Sequence, residues 1–224
     1  MSPSDPAVVG IDVGGKRKGF HAVALRDGKF FDQITSCHPT EIADWCFAID
    51  PAVIAVDAAC NWSISGRSRQ AERDLKIAGK KVHCFATPLR DLVDAKPDGF
   101  YQWVFNGESL YEKLTEKYPL FNGMWSQKKT TIETFPHAVV CALKEKVVAA
   151  KPKLKNRKQV LREMGYDIRN LRNIDLVDAA LCAVAARVFS KSEYDRFGDE
   201  KEGFIVVPRL FTEFQKLMND LKRL

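Results

Sequence analysis

Residues 8–14 read Val-Val-Gly-Ile-Asp-Val-Gly and residues 53–57 read Val-Ile-Ala-Val-Asp, two apolar runs that each carry an aspartate near the carboxyl end. Short continuous apolar runs bounded by turn residues mark strands buried on both faces. Side chains alternate faces along a strand, so Val8, Gly10 and Asp12 share one side, and Val53, Ala55 and Asp57 share one side of theirs. Laid parallel and adjacent, the two strands bring both carboxylates to their carboxyl ends, where open α/β sheets hold ligands. A carboxylate in so apolar a setting is costly unless hydrogen bonds, a cation or a proton offset its desolvation.

The intervening sequence supports that arrangement. Gly14-Gly15 and the basic turn Lys16-Arg17-Lys18 lead into a second strand over 19–25, and Arg26-Asp27-Gly28 turns the chain into a return strand over 29–34. These make an antiparallel three-stranded meander. Pro39-Thr40-Glu41 opens a helix whose apolar surface is Ile42, Ala43, Trp45, Cys46 and Ile49. A crossover through that helix lays 53–57 parallel to the first strand. Downstream the pattern predicts a loop over 58–68, a short helix over 69–78 and a strand over 81–85. An aromatic, Pro- and Gly-containing segment follows over 87–125, helical around 107–118, which we read as a cap or substrate wall. Residues 130–134 form the expected final core strand, with a helix beginning near Pro136, a basic connection over 151–158 and a helical turn over 159–164. Asn173 caps a helix from Ile174 to about Phe189. Residues 190–224 are expected to be a C-terminal extension, with an apolar run Phe204–Val207 and a terminal helix. The fold class is α/β: a single domain over 1–224, with a mixed central sheet and helices on both faces.

Composition narrows the setting. The chain has 224 residues and 35 Lys and Arg against 29 Asp and Glu, for a formal net charge of +6. That balance is compatible with binding DNA or RNA but is common among soluble proteins. Its six cysteines lack a close CxxC pair and have apolar neighbours, which suits reduced, buried thiols and argues against a structural zinc site. The start, Met-Ser-Pro-Ser-Asp-Pro-Ala, has neither the basic nor the apolar region of a signal peptide. No run approaches the roughly 18 apolar residues of a membrane span. The expected location is cytoplasmic and away from membranes, and no protein partner is implied.

A third acidic group completes the pattern. Asp175 and Asp178 lie three apart in the alanine-rich helix and share a side. Asp175 is also near enough to the helix start to act as a first-turn stabiliser. Ala179, Ala180 and Ala183 would let this helix approach a sheet closely. Oxygen-rich Asp12, Asp57, Asp175 and Asp178 suit Mg²⁺ or Mn²⁺, as one ion or as a pair activating water against a phosphodiester. Glu133, at a strand-to-helix junction, joins Asp12, Asp57 and Asp178 as a candidate catalytic carboxylate. Glu72 is either a supporting carboxylate or an exposed partner of a neighbouring arginine. Arg67, Arg69 and Arg73 are candidate phosphate clamps, Lys16 a candidate backbone contact, and His137 either orients water or phosphate or is a cap.

The ordered pieces Gly10-Ile11-Asp12-Val13-Gly14, Ala55-Val56-Asp57-Ala58, the Arg69–Arg73 segment, Glu133-Thr134-Phe135-Pro136-His137 and Asp175-Leu176-Val177-Asp178-Ala179-Ala180 resemble the domain-of-unknown-function 429 family, grouped with RNase H-like nucleases. The last piece also resembles the closing acidic helix of Holliday-junction resolvases. The resemblance spans roughly residues 8–189. It implies an RNase H-like fold, metal-binding roles for Asp12, Asp57 and Asp178 with Asp175 nearby, and metal-dependent nuclease or phosphodiesterase activity. Where those resolvases carry a glutamate after the meander, this chain has Asp57. Two alternatives remain open. One is an actin-like ATPase or small-molecule kinase beginning at Ile11-Asp12-Val13-Gly14-Gly15, although a second glycine-rich loop and a GxxxxGK[ST] motif are lacking. The other is a non-catalytic nucleic-acid-binding or scaffold protein on the same fold, stacking bases on the aromatic segment.

Overall fold

The computed structural model describes residues 5–15, 17–94, 99–126 and 129–209. Strands β1 (Val8–Val13), β2 (Phe20–Arg26) and β3 (Lys29–Ser36) form the expected antiparallel meander. Helix α1 (Pro39–Ile49) crosses over, and β4 (Val53–Asp57) returns parallel to β1. Their register pairs Val8 with Val53, Gly10 with Ala55 and Asp12 with Asp57, so the matched parity of the two apolar runs becomes a shared row.

Beyond β4 lie α2 (Gln70–Asp74), β5 (Lys76–Ile77), β6 (Lys80–Lys81), α3 (Arg90–Asp94) and α4 (Gln102–Leu114). Next come β7 (Thr130–Glu133), α5 (Pro136–Leu143), α6 (Lys153–Glu163), α7 (Ile174–Ser190), β8 (Tyr194–Asp199) and β9 (Gly203–Pro208). The main sheet has seven strands in the order β3-β2-β1-β4-β7-β9-β8. β1, β4, β7 and β9 run parallel, and β8 closes the edge antiparallel to β9. The architecture is α/β with a mixed sheet. Among the described residues, no helix is long and apolar enough to cross a membrane.

The sheet buries both faces. Val8, Val23, Val53, Ala55 and Val206 pack under α7, with Val160 and Leu161 of α6. Val9, Ile11, Ala22, Ile54 and Val56 pack against Ile42 and Cys46 of α1 and Leu110 and Leu114 of α4. Gly10 is what lets α7 lie so close to β1: a Cβ there would sit 2.0 Å from the Ala183 nitrogen and 2.1 Å from the Ala179 oxygen. That approach seats the start of α7, and its two aspartates, over the carboxyl end of β1. Asn173 caps the helix as expected, its side chain accepting a 2.8 Å hydrogen bond from the Leu176 N–H.

Four local expectations need correction. The helix expected over 69–78 ends at Asp74, because Ala78 (φ 49°) and Gly79 (φ 74°) turn a small β5–β6 hairpin. Of the strand expected over 81–85 only Lys81 is in a strand, the two-residue β6, which pairs with β5 in a separate two-stranded sheet. The basic stretch 151–158 is not a connection, since α6 begins at Lys153 and buries Arg157, Val160 and Leu161. Nor is β7 the final core strand. Phe204–Val207 lies in β9, which pairs with β7, so residues 194–208 extend the sheet rather than leave the domain. The terminal helix expected beyond them lies outside the described residues.

Candidate functional site

The carboxyl ends of β1, β4 and β7 open into a cavity of about 470 Å³. Asp12 and Asp57 line it from the sheet, Asp175 and Asp178 from α7, Lys153 and Arg157 from α6, and Lys18 from the turn after β1. Phe85, Trp103 and Phe135 supply an aromatic wall. Helix α4, inside the segment expected to be a cap, steadies the loops that carry the carboxylates. Its Asn106 Nδ2 donates to the Gly14 carbonyl at 2.8 Å, and the Tyr111 hydroxyl donates to the Ala58 carbonyl at 3.1 Å.

The charges in this cavity do not balance. Asp175 accepts a 2.7 Å contact from Lys18, which keeps that ammonium charged. Asp178, only 7% exposed, is paired with Arg157, itself 4% exposed. Arg157 Nη1 meets Asp178 Oδ1 as an ion pair, while Arg157 Nε has no hydrogen-bond partner among the described residues. Asp12 and Asp57 have no cation within ion-pair distance among the described residues. Burial, then the charges of Asp178 and Asp175, push the Asp12 carboxyl up to about 8. Burial, then Asp12 and Asp178, push Asp57 well above the usual carboxylate range. Burial also raises Asp178, with Arg157 opposing it. Their like charges oppose one another, so ionising both carboxylates together is unfavourable.

Two register-paired carboxylates with like charge above them suit a hard divalent ion in donor chemistry and in sign. They do not make a three-ligand cage as they stand. Among the described residues, no group of three or more His, Cys, Asp or Glu side chains could hold a metal ion. The third corner, Asp178, faces Arg157 instead.

A second charged group lies beside the first. Arg69, 1% exposed, turns its guanidinium inward and donates to Glu72 Oε1 at 3.0 Å and to Glu133 Oε2 at 2.7 Å. Glu133 Oε2 also accepts from the Cys60 N–H at 2.8 Å. Glu72 accepts from the backbone of Arg69 and of Thr87. Glu202, in the β8–β9 turn, accepts from the Ser63 hydroxyl and from the Ile64 and Gln70 N–H groups. Burial alone would raise Glu202, but these donors outweigh it and hold the carboxyl below its ordinary value.

The structure therefore brings Asp12, Asp57, Asp175 and Asp178 together and places Glu133 and Glu72 on the cavity wall, engaged with Arg69. Arg69 also lines the cavity, but its guanidinium is saturated by carboxylates rather than presented to a phosphate. Arg67 is exposed on the loop before α2 and Arg73 caps Ser68; neither lines the cavity. His137 is buried on α5, 3.8 Å from the Cys141 sulfur, with burial and then the nearby Arg157 lowering its pKa. Lys16 lies outside the described residues. Sequence reasoning missed Arg157 and Lys153, whose four-residue spacing on a helix is the one signal that pairs them.

No curated protein and no solved structure matches the chain. A family model described as "protein of unknown function (DUF429)" matches residues 10–203, from the strand glycine under α7 to the first residue of β9. The chain belongs to the DUF429 family.

Proposed function

We propose that the chain is a metal-dependent phosphodiesterase acting on nucleic acid, with an RNase H-like fold and Mg²⁺ or Mn²⁺ as its cofactor. The observation that carries this reading is the register pair Asp12–Asp57 at the ends of adjacent parallel strands, Asp12 buried and Asp57 half-buried, with no cation in ion-pair distance among the described residues and a third carboxylate above them on α7. Asp12 and Asp57 would hold the ion, with Asp178 and Asp175 framing the other side of the cavity. An ion bound there supplies Lewis acidity toward a phosphoryl oxygen and a lowered pKa for bound water. Exposed Lys18 and Lys153 at the cavity wall, with buried Arg157 behind them, supply positive charge toward a phosphate. Phe85 and Trp103 offer faces on which a base stacks.

The test is a product-resolved assay of the purified protein against structured and single-stranded DNA and RNA, with Mg²⁺ and Mn²⁺. Metal-dependent cleavage is expected, falling by about 10²-fold or more in Asp12→Asn and Asp178→Asn variants that retain the native circular dichroism spectrum. Full cleavage in either variant would remove the assigned roles. Salt-sensitive binding without turnover would favour a non-catalytic nucleic-acid-binding protein.

A further inference from the structure

Arg157 is buried in the middle of a basic helix, although a guanidinium taken from water needs a fixed counter-charge. Its counter-charge is Asp178, the carboxylate that a second metal ion would need. Arg157 lines the cavity, and its Nε is buried with no hydrogen-bond partner among the described residues. Two of the four aspartates are already matched by monovalent cations, Lys18 on Asp175 and Arg157 on Asp178. One divalent ion neutralises the remaining pair. A second would have to displace the guanidinium from Asp178 and strand it, buried and uncompensated.

Resting on the metal reading above, we infer that Arg157 is the resident second cation of the site. One divalent ion sits with Asp12 and Asp57, and the guanidinium, positioned by Asp178, takes the side where a second ion would go. Asp178 on this account is a positioning residue: it holds Arg157 and does not ligate the first ion.

Titration with Mn²⁺ alone, by calorimetry and by electron paramagnetic resonance, separates these roles without relying on activity. The wild type is expected to bind one ion. Arg157→Met is expected to bind two, and Arg157→Lys to return to one. Asp178→Asn, which stays readable if Arg157→Met does not fold, is expected to bind one ion with affinity within about threefold of wild type. Two ions in the wild type, a single ion in folded Arg157→Met, or a loss of about tenfold or more in Asp178→Asn would each overturn the inference while leaving the metal reading intact. No ion bound by the wild type would overturn both.

Discussion

Two buried charged groups share the wall of one cavity and differ in how their charge is settled. Around Arg69, three glutamates are each met by a guanidinium, a hydroxyl or backbone N–H groups, so the network is closed. Around Asp12, two aspartates have no cation in ion-pair distance among the described residues, and burial with the neighbouring aspartates outweighs the more distant Lys18 and Arg157, so the group is open. The closed network ties the loop after β4, the α2 segment, β7 and the β8–β9 turn into one frame. Buried polar groups that satisfy one another specify architecture; carboxylates with raised pKa in a cleft define a candidate functional site.

The comparison breaks most visibly by mutation. Arg69→Met removes the one cation shared by Glu72 and Glu133 and leaves both buried, so a loss of about 3–5 kcal/mol is expected in chemical denaturation. Asp12→Asn should do the opposite to the metal-free protein, because it removes a repelled carboxylate rather than a compensated charge. At pH 8 we expect a gain on the order of 2 kcal/mol. The pH dependence has the same origin. A carboxyl whose folded pKa is raised binds its proton in the native state after the unfolded chain has released it. Its contribution is therefore complete below about pH 4 and is lost as pH rises toward about 8. Thermal melts of the metal-free protein should fall across that window, with a shallower slope in Asp12→Asn. The smallest effect should come from Lys18→Gln. Its pair with Asp175 is largely exposed at the lysine end, so the change should stay within about 1 kcal/mol.

Much of the open group was legible in sequence, and little of the closed one. Strand parity and the handedness of a crossover connection are local rules, and they suffice to bring Asp12 beside Asp57. Helical spacing and the Asn173 cap likewise suffice to place Asp175 and Asp178 on one side of α7. Partner choice is not local. Arg69 has Glu72 three residues away, but Glu133 reaches it only through the β4–β7 pairing, so an arginine-rich stretch reads as a phosphate clamp. Glu202 sits in a turn whose composition reads as solvated surface, yet it is 2% exposed. Arg157 lies in a lysine-rich run that reads as a linker, and its counter-charge is on another helix. Gly10 was legible as a strand residue on the correct face. The close approach of α7 that it permits became visible only in the packing.

Whether the open carboxylate pair takes a divalent cation is read directly from thermal unfolding at pH 8, with and without Mn²⁺, in the wild type, Asp12→Asn and Asp57→Asn. Mn²⁺ is expected to raise the wild-type melting temperature by several degrees, about 4 °C or more for an ion well above its Kd, and to leave both variants unmoved. A wild type indifferent to Mn²⁺, or variants stabilised as much as the wild type, would contradict a divalent-cation site there.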